Sequence, residues 1–271
     1  MLKRLFTLIL LIASFNSFNA HAQQAEQASV NLEETGLWAG LYLNLRFSDK
    51  LGYYAEHHYR GRNALDDVRS WVGRPRQIYN RIGLHLLLNP HIEGVIGPAL
   101  IVNFTPEPGN PEYEPVTYEP RIWTQWLFKQ DYIGRVKLVH QFRLEFRWKR
   151  KNDVGAEYKY TTRYRYKFFA YIPINKRRVE VDTWFFSPSV EIFMHSGKSV
   201  VYNPFEDFRT YNGFGYVLNP NVTFFVGHMW TLGQKDTGYE YRTSHVFRFN
   251  VYLGFDFRKG ENKVPKINLG Y

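Results

Sequence analysis

Cysteine is absent from the 271 residues. That excludes disulfide staples, thiol nucleophiles and thiolate metal sites. A chain of this length needs no staples, because it can build a core or close a barrel without them. Also missing, beyond the first two dozen residues, is any apolar run long enough for a membrane helix. No long amphipathic helix, no Walker-type phosphate loop and no Gly-x-Gly-x-x-Gly opening a helix occurs either. Asn212-Gly213-Phe214-Gly215 is glycine-spaced but stands in strand context, where glycine marks a bend or close packing.

The first residues predict export. Lys3 and Arg4 are followed by an apolar run from Leu5 to Phe18 and by Ala20-His21-Ala22, a small-x-small cleavage site. Residues 1–22 read as a signal peptide cut after Ala22, leaving Gln23 first. The run is too short to favour an uncleaved membrane anchor. The formal net charge of +10 loses two basic residues and no acid with the signal, so the mature chain stands near +8. That balance suits an anionic surface or solute: lipopolysaccharide, acidic lipid or a small anion. Nucleic acid is not expected as a partner of an exported chain.

What is abundant is aromatic. The 20 Tyr, 22 Phe and 7 Trp make 18% of the chain, and such side chains favour strands and the interfacial girdles of membrane barrels. Their order has a period of two. In Arg135–Arg150, Val136, Leu138, Phe142, Leu144, Phe146 and Trp148 alternate with Arg135, Lys137, Gln141, Arg143, Glu145, Arg147 and Lys149. A helix would scatter these residues round its surface. The stretches Tyr158–Ile172 and Tyr241–Phe257 repeat the rule. Weaker candidates are Trp38–Phe47, Leu51–Arg60, Gln77–Leu88, His91–Phe104, Thr117–Asp131, Val179–Met194, Phe208–Leu218 and Val222–Leu232. Pro188 interrupts one of them, and the apolar phase shifts across it, which predicts a bulge.

Short connections (Ser48–Lys50, Asn89-Pro90, Tyr132–Gly134, Asn175-Lys176, Asn219-Pro220) alternate with long ones (Gly61–Arg76, Thr105–Val116, Lys151–Glu157, His195–Glu206, Gly233–Glu240). Tight turns at one end and larger loops at the other is the outer-membrane arrangement. The fold expected is all-β, an antiparallel up-and-down transmembrane barrel. Eleven candidate strands are uneven, whereas single-chain bacterial barrels are even. About twelve strands are expected, with Val264–Tyr271 or residues 24–36 closing the barrel, and ten is the fallback. The domain layout is then a lead segment 23–36, a barrel 37–257 and a tail or closing strand 258–271. A soluble β-sandwich also alternates, but its inner face is aliphatic and its strands are modest in length. Here that face is heavy in aromatics. Several strands exceed the nine to eleven residues that a tilted strand needs to cross a bilayer. The mean hydropathy of −0.42 is no obstacle, because a barrel shows lipid only every second residue.

The signal peptide, the Trp38 start with Leu41-Tyr42-Leu43, the Ser-Asp-Lys turn and the stretch Tyr53-Tyr54-Ala55-Glu56-His57-His58-Tyr59-Arg60 together resemble the domain of unknown function 2490 family. These are outer-membrane barrels of Bacteroidetes and related bacteria. The resemblance implies a porin-like architecture and carries no activity. It also implies outer-membrane lipid and the barrel-assembly machinery as partners.

No catalytic, metal or cofactor site is expected. His195-Ser196 and Ser244-His245 are adjacent, so on a strand their side chains face opposite ways, which spoils a nucleophile–base pair. Glu56 and His58 share a face without His57, and two ligands make no metal site. The candidate site is a lumenal charge set: Glu56, Arg81, Glu119, Arg121, Arg143, Glu145, Arg147, Arg163, Arg165, Glu180, Asp182, Arg209 and Arg248. Such a set lines an anion-biased narrow channel or plugs the barrel as salt-bridged side chains in a structural envelope component. A lipid-modifying barrel enzyme and a secreted soluble sandwich are the alternatives.

Overall fold

In the computed structural model, residues 30–258 are described, with side chains from Glu34 onward. The signal peptide with its Ala22 site, residues 23–29 and the tail 259–271, including the suggested closing strand Val264–Tyr271, lie outside the described residues. The strands are β1 (Val30–Arg46), β2 (Leu51–Arg62), β3 (Arg74–Asn89), β4 (Ile92–Phe104), β5 (Val116–Lys129), β6 (Lys137–Lys149), β7 (Lys159–Pro173), β8 (Trp184–Ser196), β9 (Phe205–Asn219), β10 (Val222–Gln234) and β11 (Tyr241–Asp256).

Each strand pairs with its sequence neighbours in antiparallel register, and β1 closes the ring by pairing with β11 in parallel, from Val30↔Tyr241 to Arg46↔Asp256. This is where the strand count departs from twelve or ten. An even number is forced only when every pair is antiparallel; one parallel seam closes an odd ring without a further strand. Residues 30–36, expected in a lead segment, are instead the first part of β1.

The alternation of every strand becomes an inside and an outside. Outward side chains include Leu37 and Leu41 on β1, Ile82 and Leu84 on β3, Phe142 and Trp148 on β6, Tyr160 and Tyr164 on β7, and Phe247 and Phe249 on β11, all exposed. Among the described side chains, none of the outward strand positions carries Asp, Glu, Lys or Arg. A charge facing lipid near mid-bilayer costs about 2–4 kcal/mol, and this wall carries none on its described outward positions. A closed ring also leaves no strand edge with unpaired backbone, which lipid cannot satisfy.

The inward face divides by height. Near the short-turn end Phe169, Tyr171, Phe185, Val217 and Phe225 pack with Leu127 and Val139. Tyr171 and Phe185 meet edge-on at 5.5 Å. Above them, towards the long loops, the inward positions become Arg and Glu.

Two prolines interrupt ladders. Pairing of β3 with β4 passes from Arg81↔Ala99 to Leu84↔Ile96, skipping Pro98, which has no N–H to donate. The buried Trp123 indole fills the gap from inside, donating to Ile82 O at 3.3 Å and Pro98 O at 3.2 Å. Pairing of β7 with β8 likewise skips Ala170 and Tyr171 opposite Pro188 and resumes in unchanged register. The bulge expected at Pro188 is therefore not there; it lies between Phe193 and Met194 on the β9 side. The apolar phase shift has another cause. Inward positions on β8 are Phe185, Ser187, Ser189, Glu191 and Phe193 throughout, so past Phe185 the inward face turns polar while the outward Val190, Ile192 and Met194 carry the apolar signal. The β7–β8 connection also runs from 174 to 183, longer than the Asn175-Lys176 turn expected, because β8 starts only at Trp184.

Candidate functional site

Eleven of the thirteen candidate residues turn inward. All of them but Arg248 enter ion pairs, and those from β2 to β7 form a belt that crosses the lumen. Glu56 on β2 accepts from Arg81 Nη1 of β3 at 2.6 Å and from Arg143 Nη2 of β6 at 2.6 Å. Tyr54 Oη donates to the same carboxylate at 2.9 Å. Glu145 on β6, fully buried, gathers four guanidinium groups: Arg81 at 2.9 Å, Arg121 at 2.8 Å, Arg165 at 3.0 Å and Arg163 at 3.4 Å. Arg121 also binds Glu119 at 2.9 Å. Strands β2 and β6 are not neighbours in the wall, so the Glu56–Arg143 pair is a chord across the interior. Charged side chains so deeply buried persist only with saturated partners, and the forked guanidinium supplies them.

Arg209 and Arg248 stand on the β9–β11 side. Arg209 Nε donates to Asp207 at 2.8 Å. Arg248 Nη2 donates to Tyr42 Oη at 3.2 Å. Beside them the rings of Tyr42 and Tyr252 stack at 4.5 Å, and Asn250 Nδ2 donates to Tyr211 Oη at 3.0 Å.

Glu180 and Asp182 do not belong to this set. Both lie in the β7–β8 connection, before β8 begins. The Glu180 side chain is 59% exposed and binds Lys176 at 3.3 Å. Asp182 adopts a left-handed backbone, φ 62°, and accepts from Tyr216 Oη at 3.0 Å.

Sequence reasoning missed several members. Glu191 takes Arg165 at 2.6 Å; its place between outward Val190 and Ile192 was the available signal. Glu206 takes Arg163 Nε at 2.6 Å and Arg147 at 2.9 Å. Pairing jumps from Phe193↔Asp207 to Met194↔Phe205, so Glu206 is the extra residue of a bulge and turns inward beside Asp207. Arg76 is the extra residue between Arg60↔Gln77 and Gly61↔Pro75, and it pairs with Glu34. Strict alternation has no signal for either.

The His-Ser neighbours separate as their parity requires. His195 turns inward, its Nδ1 3.9 Å from Glu206, while Ser196 Oγ reaches Tyr164 Oη on the outside at 3.4 Å. Ser244 is buried inside, and His245 stacks on His228 outside, ring centroids 5.1 Å apart. Glu56 and His58 face the lumen, whereas His57 pairs with Asn80 on the outer wall at 2.9 Å.

Above the belt the barrel opens into a vestibule of about 1300 Å³. Its walls are the upper inward residues, including Arg60, Tyr79, Arg147 and Arg163, and its rim is formed by residues of the long connections, such as Lys151, Lys198 and Asp236. Thirteen Lys or Arg line it against six Asp or Glu, an excess of seven positive charges. Two clasps tie its rim. Arg150 Nη1 donates to Glu114 at 2.6 Å, and this hydrogen bond holds the Glu114 carboxyl below its usual range. Lys151 Nζ meets Asp236 at 2.7 Å, which raises the Lys151 ammonium.

The family model for proteins of unknown function DUF2490 matches residues 35–242. The chain belongs to this family. Among solved structures, the NanC porin in its rhombohedral crystal form is similar at 9% identity, with 79% of this chain and 91% of that chain covered and a TM-score of 0.46. No curated protein matches the chain.

Proposed function

We propose that this DUF2490 protein is an outer-membrane barrel that binds anionic solutes in a cationic outer vestibule and is closed beneath it. The long loops then face outward, the short turns face the periplasm, and the charge-free wall sits in lipid and lipopolysaccharide. The observation that carries the reading is the chord of buried ion pairs from Arg143 through Glu56 and Arg81 to Glu145, lying under a cup with seven excess positive charges. A filled lumen favours a barrel that captures over one that lets solutes diffuse through.

Two measurements test it. Protein folded in detergent should show heat-modifiable migration and stay electrically silent in a planar bilayer; steady ohmic steps from the wild-type protein would overturn closure. At low salt it should bind small anions by calorimetry, with affinity falling as ionic strength rises; no binding would overturn the vestibule. A second reading, a gated anion channel, is favoured by Lys167, which faces the lumen below the belt with no carboxylate within 4 Å among the described residues and its ammonium 4.6 Å from the Phe169 ring. Anion-selective steps that appear when Glu56 is replaced by Ala would support that reading.

A further inference from the structure

The floor of the vestibule holds an unusual charge arrangement around one ring, Trp38. The Arg60 Cζ lies 4.1 Å from the ring centroid, and those of Arg76, Arg209 and Arg248 each lie 5.9 Å away. Two of the four have counterions, Arg76 in Glu34 and Arg209 in Asp207. Arg60 and Arg248 have none within 4 Å among the described residues. Arg60 is 8% exposed. It is sandwiched between Trp38 and the Tyr79 ring at 3.8 Å, with one neutral hydrogen bond to Gln77 Oε1 at 3.3 Å. Arg248 contacts only neutral groups: Tyr42 Oη, Met229 Sδ at 3.9 Å and the Tyr211 ring at 4.7 Å.

The same three side chains hold orphaned donors. Trp38 Nε1, Arg60 Nε and Arg248 Nε are all buried without an acceptor, and Trp38 itself is only 3% exposed. Buried donors are nearly always paired in folded proteins. Orphaned Nε groups also occur at Arg62, Arg81, Arg147 and Arg150, but only around Trp38 do such donors coincide with two guanidinium groups that lack counterions, at a surface that opens into the vestibule at Trp38 and Arg60.

We infer that this floor binds the phosphate group of a water-soluble phosphate monoester; the inference rests on the vestibule reading above and adds the solute class. Two uncompensated guanidinium groups near a single ring require about two negative charges at one centre. A phosphate monoester, whose second ionisation lies near pH 6, carries nearly that charge at neutral pH. It brings three terminal oxygens to the floor where Trp38 and Arg60, each with an orphaned N–H group, line the vestibule. Guanidinium also matches phosphate geometry in its fork. A monocarboxylate brings one charge and two oxygens, and a dicarboxylate spreads its charges along a carbon chain. The approach is from the aqueous loop end, not from the charge-free lipid wall.

Calorimetry on the folded full chain at constant ionic strength tests this, with glycerol 3-phosphate, inorganic phosphate and succinate as probes and phosphatidate in mixed micelles as a fourth. Glycerol 3-phosphate and inorganic phosphate should bind at least about tenfold tighter than succinate. Arg60→Gln and Arg248→Gln should each weaken both phosphates about tenfold or more while changing succinate less than about threefold. Heat-modifiable migration confirms that the variants fold; should either fail, the wild-type preference for phosphate over succinate decides alone. Equal affinity for succinate and phosphate overturns the subsite and leaves the vestibule standing. Absence of binding by every anion overturns both. Binding of phosphatidate alone overturns the water-soluble ligand.

Discussion

The two halves of the barrel interior are lined by the same strands and filled by opposite chemistry. Towards the short turns, Phe185, Phe225, Phe169 and Val217 pack as a mainly apolar core beside the buried Glu93–Lys129 pair. Towards the long loops, Arg81 and Arg121 converge on Glu145 while Arg143 pairs with Glu56, and above them the lumen opens into a cationic cup. The lower half is held by area and shape. The upper half is held by the pairing of charges in its belt, where one missing partner strands the others. A barrel wall thus tells which side of a strand faces inward, whereas the filling is decided level by level.

Substitutions can break or sharpen that contrast, and the largest effect is expected in the belt. Glu145→Ala leaves Arg81 and three other guanidinium groups around an empty buried site. It should destabilise the lipid-folded barrel by about 3–5 kcal/mol, read as a lower urea midpoint. A loss below about 1 kcal/mol would mean that water already reaches the belt. In the lower half the sensitive parameter is volume. A Cβ at Gly215 would stand 2.1 Å from the Phe185 ring, so Gly215→Ala should cost about 1–3 kcal/mol by overpacking. The double variant Gly215→Ala/Phe185→Leu should recover part of the loss in the same unfolding experiment.

The smallest effect belongs to the rim. Hydrogen bonding to Arg150 lowers the Glu114 carboxyl from its ordinary value of 4.5. A group depressed on folding stabilises above its unfolded value, and that contribution is lost as pH falls through the folded one. The Glu114–Arg150 clasp should therefore hold at neutral pH and release only as pH falls below the ordinary carboxylate range. A chain without cysteine accepts a pair of nitroxide labels in connections 105–115 and 150–158. Their distance distribution should broaden on acidification, and Glu114→Gln should be broad at every pH. A distribution that stays narrow in Glu114→Gln would assign the rim's order to other contacts, the Tyr113↔Asp153 bridge foremost.

Much of the belt was legible before any coordinates. The run from Arg135 to Arg150 assigns Arg143, Glu145 and Arg147 to one face by parity alone, and β6 (Lys137–Lys149) keeps that parity throughout. Glu206 and Arg76 were not legible, because a bulge adds one residue and reverses the rule locally. Glu180 and Asp182 failed for the opposite reason: alternation was extended through Val179 and Val181 into a connection that is not strand. Trp38 was noted as the start of a strand, but nothing in its sequence neighbourhood reveals four arginines around its ring, since they come from β2, β3, β9 and β11.

By itself the sequence determines the two faces of each strand, because a period of two is a property of extended backbone. It also determines that the charged face cannot be the lipid face. Tertiary structure decides which charges meet, since Glu56 and Arg143 stand 87 positions apart in the chain and touch only when the wall curves them together. It decides the count of eleven through the parallel seam of β1 with β11, a pairing between distant segments that no local pattern encodes. And it decides how the lumen is filled, because that depends on side chains from opposite walls, such as Glu56 and Arg143, reaching one another across a ring of a particular size.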